Sequence, residues 1–176
     1  MDELLDVLNE ETGEKTSETI MKFEAHSKGI WHGAIHILIV NKDKTKTLLQ
    51  KRSADKKLYA NTWDIAVGGH ISSGEDDLTS AKRELEEEIG INPDNVELIK
   101  VDRIKEQLDN GGVLSNEFVS IFIAYADINI EDIKLQEEEV SDAAWFTYSE
   151  LEKLIEENKV IPHTKEYEIL KNIMIS

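Results

Sequence analysis

Alternation of apolar and polar residues predicts most of the strands of this chain. Residues 31–41 (WHGAIHILIVN) alternate and then become continuously apolar, which is typical of a strand that enters a buried sheet. The polar turn NKDKTKT follows, and the segment LLQKR predicts the second strand of a β-hairpin. The pattern also predicts further strands, over residues 4–8, 62–67, 96–107, 117–126 and 143–147.

Apolar residues that recur every three or four positions predict the helices. The clearest helix covers residues 75–89 and ends at Gly90, and one stripe of its surface carries four apolar side chains, Leu78, Ala81, Leu85 and Ile89. A helical turn is predicted over residues 20–27, and two helices over residues 149–157 and 164–174. Because the strands are too numerous and too close for simple βαβ repeats, we predict an α/β fold with helices on both faces of a mixed sheet.

The composition restricts the class of protein. The chain has 176 residues, 40% of them hydrophobic and 32% charged, which predicts a single globular domain over residues 1–176. The net charge of −17 argues against binding to nucleic acid or anionic membranes and favours cations as partners. The lack of cysteine excludes disulfides, thiolate zinc sites and a cysteine nucleophile. Without a signal-peptide pattern or an apolar run of membrane-spanning length, a cytoplasmic protein is expected.

The clearest of these helices carries an unusual density of carboxylates. Glu84, Glu87 and Glu88 fall within an arc of about 100° beside the apolar stripe, because residues three and four apart are neighbours on a helix. Such a run is commonly a solvated face, but converging carboxylates also suit hard divalent cations such as Mg²⁺. Gly68 and Gly69 precede the helix and allow the backbone to approach a ligand closely.

Residues 69–91 fit the spaced pattern G-x5-E-x7-R-E-U-x-E-E-x-G-U, in which U is a bulky aliphatic residue. This pattern is the signature of the Nudix hydrolases, and the sequence matches it at every defined position, so the chain resembles that family. The resemblance extends from about residue 4 to the last predicted helix. It implies a Nudix-type α/β/α sandwich with a mixed β-sheet, and hydrolysis of a diphosphate linked to another moiety with Mg²⁺ or Mn²⁺.

The resemblance also implies roles for individual residues of the motif. Glu84, Glu87 and Glu88 look like metal ligands, with the backbone carbonyl of Gly69 as a further one. Arg83 looks like the residue that orients Glu75 and the loop through a charge-assisted hydrogen bond.

A carboxylate is also needed to accept a proton from the attacking water. In this family that base lies either on the helix, where Glu87 and Glu84 are the candidates, or on a later loop. On the loop Glu139 is favoured over Glu137 and Glu138, although all three fit solvated surface residues equally well.

Three residues outside the motif are candidate substrate-binding residues. Lys51 and Arg52 end the hairpin strand, where they would hold a distal phosphate, although plain surface charges fit nearly as well. Trp63 precedes the glycine loop, and for this residue packing beneath the loop is favoured over lining the pocket.

The sequence around the motif, including LLQKRSADKKLYANTWDIAVGGH, is similar to the Nudix branch nearest isopentenyl diphosphate isomerase. The similarity matches His32, His70 and Glu117 to residues of the histidine-rich metal site of that enzyme, and matches His26 with a spacing one residue short. A second metal site at His32, His70 and Glu117 is therefore a hypothesis.

The alternative for the strand histidines is ordinary packing. His32 and His36 alternate with Ala34, so all three point to one face of the predicted strand, and most such histidines are satisfied packing residues.

One departure separates the chain from the isomerases. Gly68 occupies the position of the cysteine on which the isomerases depend, while the Nudix motif, which those enzymes tend to have broken, is intact. A pyrophosphohydrolase is therefore favoured over an isomerase. A non-catalytic diphosphate-binding module is the third interpretation, although such modules usually lose carboxylates of the motif. The expected partner is a small-molecule diphosphate that no motif identifies, and a homodimer rests on analogy with the family alone.

Overall fold

The structure, a computed structural model, describes residues 2–175. A two-stranded antiparallel sheet is formed by β1 (Leu4–Leu8) and β2 (Lys15–Met21), and the short helix α1 (Lys22–Lys28) follows it. The main sheet is built from β3 (His32–Val40), β4 (Lys46–Arg52), β5 (Trp63–Ile65), β6 (Val67–His70), β7 (Ile99–Asn110), β8 (Val113–Tyr125) and β9 (Val140–Thr147). The remaining helices are α2 (Asp77–Ile89), α3 (Tyr148–Glu156) and α4 (Thr164–Met174).

The main sheet is mixed, and β3 lies at its centre. This strand pairs in parallel with β8, with His32 opposite Glu117, and antiparallel with β6, with Ile35 opposite Gly69. Its contact with β4 is confined to the hairpin end, so β4 turns away and pairs with β5 and β9. Every residue of β3 is buried, which explains why its sequence becomes continuously apolar.

Alternation along β3 divides the core into two layers. Ile35, Ile37 and Ile39 point to the face covered by α2, and the side chains at even-numbered positions point to the face covered by α3 and α4. Helices therefore pack on both faces of a mixed sheet, and the predicted α/β/α sandwich is confirmed.

Helix α2 is set in place by its caps and its apolar side. The side chain of Asp76 accepts a hydrogen bond from the backbone of Thr79, and the helix ends at Gly90, whose φ of 69° is left-handed. The predicted apolar stripe is correct for three residues that are fully buried, Ala81, Leu85 and Ile89. It is wrong for Leu78, which is 40% exposed, because the buried position of the first turns is taken by Ser80.

The other differences from the predicted elements also have local causes. Strand β2 was not predicted, because its side chains are mostly exposed and lack an alternating apolar pattern. The single strand predicted over residues 62–67 is two strands, β5 and β6, which pair with different neighbours. The expected single domain over residues 1–176 stays a prediction, and its two terminal residues lie outside the described chain. No helix within residues 2–175 combines the length and apolar character needed to cross a bilayer.

Candidate functional site

A cavity of about 940 Å³ opens where β6 leads into α2. One wall is formed by the glycines of β6 and by the acidic face of α2, and the opposite walls come from β3, β8 and the loop after β4. The predicted motif residues that line it are Gly69, Arg83, Glu84, Glu87 and Glu88. Glu84, Glu87 and Glu88 are called the acidic site below.

Gly69 allows the acidic site to lie against the backbone of β6. A Cβ atom on this residue would lie only 2.3 Å from the carboxyl carbon of Glu84, so no other residue fits without displacing that glutamate. Glu84 is only 9% exposed, and this burial raises the pKa of its carboxyl group. The glycine thus leaves room for the carboxylate of Glu84 directly against the backbone of β6.

Glu88 carries the clearest sign of uncompensated negative charge. Burial and the neighbouring carboxylates of Glu84 and Asp64 raise the pKa of Glu88 to about 8. Its Oε2 atom accepts hydrogen bonds from the side chain of Gln50 at 3.0 Å and from the backbone of Gly68 at 3.4 Å, which offset only part of this effect.

Arg83 ties the glycine loop to the helix. Its guanidinium group donates to the carbonyl oxygen of His70 at 3.2 Å, to the hydroxyl of Ser72 at 3.1 Å and to three carboxylates, those of Glu75, Glu84 and Glu87, at 3.3, 2.8 and 3.3 Å. Burial works to lower the pKa of Arg83, but Glu84 and Glu75 outweigh it and raise that pKa. The hydroxyl of Ser80 donates at 2.5 Å to the Oε2 atom of Glu75, the same oxygen that accepts from Arg83.

The oxygen donors of the acidic site fit a hard divalent cation. Two of its carboxyl groups, those of Glu84 and Glu88, have raised pKa values, whereas the side chain of Glu87 is 54% exposed. A cation with two positive charges would offset this crowding, and Mg²⁺ or Mn²⁺ prefers oxygen ligands of this kind.

A second group of potential ligands is called the Glu117 cluster below: His26, His32, His70 and Glu117, whose ligand atoms all lie within 4.8 Å of one another. All of them except the fully buried His32 line the same cavity. The Oε1 atom of Glu117 is 3.2 Å from the Nε2 atoms of both His32 and His70, and 3.9 Å from that of His26. The Nδ1 atom of His32 bonds to the carbonyl of Ile30 at 2.8 Å, which orients its Nε2 atom towards Glu117.

The carboxylate of the Glu117 cluster is stabilised by its neighbours. Burial works to raise the pKa of Glu117, but hydrogen bonds from His32 and His70 outweigh it and hold that pKa well below its usual value. Burial and the two neighbouring imidazoles lower the pKa of His26 to about 4, and its Nε2 atom is buried without a hydrogen-bond partner. A neutral, unpartnered imidazole nitrogen is a potential metal ligand, so the donor set of three nitrogens and one oxygen fits a borderline divalent metal.

The predicted residues outside the motif are divided between the cavity and its surroundings. Arg52 and Glu139 line the cavity. The Nε atom of Arg52 donates to the carbonyl of Leu58 at 3.1 Å, and Glu139 forms an ion pair with Lys56. Lys51 and Trp63 are not among the described residues that line it; the ammonium group of Lys51 lies 5.8 Å from the centre of the Trp63 ring. Trp63 in turn packs edge-on against a phenylalanine of β9, and its packing beneath the glycine loop stays a prediction.

Several cationic residues of the cavity were missed by sequence reasoning. Lys22, Lys56 and Lys57 line it together with Arg52, and they bring positive charge to the same cavity as the acidic site. The adjacent lysines in the segment SADKKLYAN were the available signal, because a strongly acidic chain needs a local basic patch to receive an anionic substrate.

Comparison with known proteins agrees with the motif. The NUDIX domain family matches residues 31–165. Nudix hydrolase 3 of Arabidopsis thaliana is 38% identical over 85% of this chain, which spans only 20% of that protein's length. An uncharacterized Nudix hydrolase of Clostridium acetobutylicum is 35% identical over 90% of this chain and 76% of its own length.

Two further comparisons concern the subfamily and the fold. The isopentenyl-diphosphate Delta-isomerase of Rhodobacter capsulatus is 32% identical over 80% of this chain and 78% of its own length, which agrees with the isomerase-like sequence context. The crystal structure of DR0079 from Deinococcus radiodurans matches 97% of this chain and 99% of its own with a TM-score of 0.75 at 19% identity, which shows a shared fold. The intact motif and the extent of these matches show that the chain belongs to the Nudix hydrolase family.

Proposed function

We propose that the protein is a pyrophosphohydrolase that uses Mg²⁺ or Mn²⁺ to cleave a diphosphate bond in a nucleoside-diphosphate-linked or related organic pyrophosphate. One observation carries the proposal: Glu84, Glu87 and Glu88 converge beside the backbone of Gly69 at the wall of a large cavity. Membership of the Nudix hydrolase family supports the same reaction.

The acidic site and the carbonyl of Gly69 would hold the cation. When bound, a divalent cation neutralises the diphosphate and lowers the pKa of a water molecule. The residues of the chain supply the geometry: Arg83 holds Glu84 and Glu87 in one orientation and fastens the loop through the carbonyl of His70. Glu75 acts through Arg83 as a positioning residue.

The proton of the attacking water requires a carboxylate acceptor. Glu87 is a candidate because its side chain is exposed to the cavity, and Glu139 is the candidate on the opposite side. Glu139 is paired with Lys56, so it would act as a base only where substrate draws that lysine away. The pH dependence of turnover in the Glu139→Gln and Glu87→Gln variants distinguishes which of the two residues acts as the base.

The basic side of the cavity would receive the remainder of the substrate. Arg52, Lys56 and Lys57 lie on or just after β4 and line the cavity, so an anionic group distal to the cleaved bond has cationic partners there. We retain Lys51 and Trp63 as predicted substrate-binding residues of lower rank, because they contact each other rather than the cavity.

The test is phosphate release from a panel of nucleotide and coenzyme diphosphates, run with Mg²⁺ and with Mn²⁺. The Glu87→Gln variant should lose turnover while its folding, followed by circular dichroism, is unchanged. Glu86→Gln is the matched control, because Glu86 is an exposed neighbour on the same helix that does not line the cavity. Equal turnover by the two variants would remove the proposal.

The completeness of the Glu117 cluster favours a second candidate activity, isomerisation of isopentenyl diphosphate. The chain lacks any cysteine, and Gly68 stands where the isomerases carry one, so we rank this activity second. Conversion of isopentenyl to dimethylallyl diphosphate would reverse the ranking. Absence of turnover with every substrate would favour a diphosphate-binding module.

A metal at His32, His70 and Glu117 is a separate proposal. Metal analysis of the purified chain should find an ion whose retention is lost in the His32→Ala variant, and equal metal content in the two proteins would remove it. A cytoplasmic location, a homodimer and one domain over residues 1–176 stay predictions.

A further inference from the structure

A third group of titratable side chains lies where α4 meets the sheet and is called the α4 cluster below. His36 comes from β3, His163 immediately precedes α4, and Glu166 lies in the first turn of that helix. All three are buried, with Glu166 fully inaccessible to solvent. One ligand atom from each of the three lies within 4.8 Å of the others.

Two buried polar atoms of the α4 cluster have no hydrogen-bond partner. They are the Nδ1 atom of His163 and the Oε2 atom of Glu166. The Nδ1 atom of His163 has a carboxylate oxygen of Glu106 at 3.4 Å, but not in hydrogen-bonding geometry. Buried polar atoms without partners are costly, so two of them in one cluster require an explanation.

The surroundings of His163 match those of a histidine that binds a metal. Its Nε2 atom is 3.0 Å from the carboxylate of Asp64, and its Nδ1 atom, on the other side of the ring, makes no hydrogen bond although Glu106 lies 3.4 Å away. Metal-bound histidines usually donate their second ring nitrogen to such a carboxylate, which orients the ring. His36 lies beside it, with ring centres 4.6 Å apart, and its Nδ1 atom is 2.5 Å from Glu166.

We propose that His36, His163 and Glu166 form a binding site for a borderline divalent metal such as Zn²⁺ or Co²⁺. Two imidazoles and one carboxylate suit these ions better than Mg²⁺, which prefers oxygen ligands alone. An ion at this site gives the Glu166 carboxylate and the His163 ring the partners that they lack. His36, His163 and Asp64 all line the main cavity, which provides a route of entry.

This site is distinct from the two groups described above, because it shares no ligand with them. It joins β3 to the start of α4 across 130 positions of the sequence between His36 and Glu166. The bound ion therefore fastens the C-terminal helix to the central strand, and the folded chain gains stability as the free metal concentration rises.

Histidine-selective NMR of the metal-free, full-length chain separates this site from the Glu117 cluster. The chain has five histidines, of which three belong to the Glu117 cluster and two to the α4 cluster. Titration with Zn²⁺ in a His32→Ala background should shift the ring nitrogen signals of His36 and His163, assigned with single His→Gln variants. Signals of both rings that stay at their metal-free positions at Zn²⁺ saturation would overturn the proposal.

Metal content provides an independent measurement. In the same His32→Ala background, Glu166→Gln should retain about one Zn²⁺ fewer per chain after gel filtration than Glu168→Gln, its exposed neighbour on α4. Asp64→Asn, which removes the carboxylate behind His163, should weaken Zn²⁺ affinity by about 10- to 100-fold without removing a ligand. Equal Zn²⁺ retention and affinity in all three variants would contradict the site.

Discussion

Glu88 and Glu117 are carboxylic acids in the walls of one cavity, yet their surroundings drive them to opposite charge states. Glu88 lies among other carboxylates, and its pKa is raised to about 8, whereas Glu117 lies among imidazoles and its pKa is well below the usual value. Burial disfavours the charged form at both positions. The neighbouring groups therefore decide which of the two acids is ionised, and burial alone does not.

The contrast has a direct chemical meaning. The acidic site has more negative charge than its own hydrogen bonds can compensate, so it is suited to a hard cation that arrives from solution. The Glu117 cluster compensates its carboxylate with hydrogen bonds from histidines and offers mainly nitrogen ligands. Two sites in one cavity are thus expected to differ in metal preference, in pH dependence and in their response to removal of the carboxylate.

The largest expected difference is in turnover. Glu88→Gln should reduce Mg²⁺-dependent phosphate release by about 10²-fold or more, the scale of losing one electrostatic contact with the transition state. Glu117→Gln should reduce it much less, because Glu117 is not part of the acidic site. Steady-state kinetics at saturating Mg²⁺ measure both effects. A larger loss in Glu117→Gln than in Glu88→Gln would assign the reaction to the histidine-rich side of the cavity.

The two substitutions should also change stability in opposite directions when no metal is present. Glu117→Gln leaves buried imidazoles without their carboxylate and should cost about 1–3 kcal/mol. For Glu88 the folded-state pKa is raised, so the folded chain holds a proton that the unfolded chain releases, and stability falls as pH rises from about 4.5 to about 8. Glu88→Gln should therefore be stabilising above pH 8.

Urea unfolding in the presence of a chelator, at pH 6 and pH 9, measures these changes. The stabilisation by Glu88→Gln should be smaller at pH 6 than at pH 9, because the stability of the parent chain continues to fall until about pH 8. Equal destabilisation by both substitutions at pH 9 would contradict the proposed difference between Glu88, which lies among carboxylates, and Glu117, which lies among imidazoles.

Proton release on Mg²⁺ binding tests the charge state of Glu88 directly. A carboxyl group with a pKa of about 8 is mostly protonated at pH 7 and must lose its proton to bind a cation. The apparent Mg²⁺ affinity should therefore fall by about fivefold from pH 8 to pH 7 and level off at higher pH. Calorimetry in buffers of different ionisation enthalpy counts the released proton, and Glu86→Gln should release the same number. Affinity that is independent of pH would show that Glu88 is already ionised.

The sequence predicted the acidic site better than the Glu117 cluster. The residues of the acidic site are close together in the sequence, whereas those of the Glu117 cluster are far apart and meet only in the folded chain. Glu84, Glu87 and Glu88 are brought together by one helix, so helical spacing alone places them side by side. His32 and Glu117 meet only through the parallel register of β3 and β8, and the single-sequence pattern contains no information on that register. Family resemblance supplied this pairing, including His26 despite its shortened spacing.

The α4 cluster was not predicted from the sequence. His36 was assigned to one strand face with His32, and that assignment is correct, yet the two histidines contact different carboxylates, Glu166 and Glu117. The position of α4 over the sheet depends on packing of its apolar residues against the core, not on any local signal. The boundaries of α4 were predicted correctly, whereas its contact with β3 was not.

Arg83 provides the smallest and most specific test of the comparison. Its guanidinium group brings positive charge to the acidic site, where within the described chain it forms ion pairs with Glu84 and Glu87 but not with Glu88. Arg83→Lys keeps the positive charge but loses the planar group that contacts the loop and the helix together. We expect kcat/KM to fall by about fivefold, equivalent to about 1 kcal/mol, with Lys82→Arg on the exposed side of α2 as the control.

The alternative outcome for Arg83→Lys is equally informative. If Arg83 contributes only its positive charge to the acidic site, lysine should replace arginine without loss, and kcat/KM should be unchanged. A fivefold loss with Mg²⁺ affinity unchanged would instead mean that orientation of the loop limits the reaction, since the charge is the same in both proteins. In that case the acidic site differs from the Glu117 cluster in a second respect: its carboxylates are positioned by one multidentate side chain, whereas Glu117 is held by two separate rings.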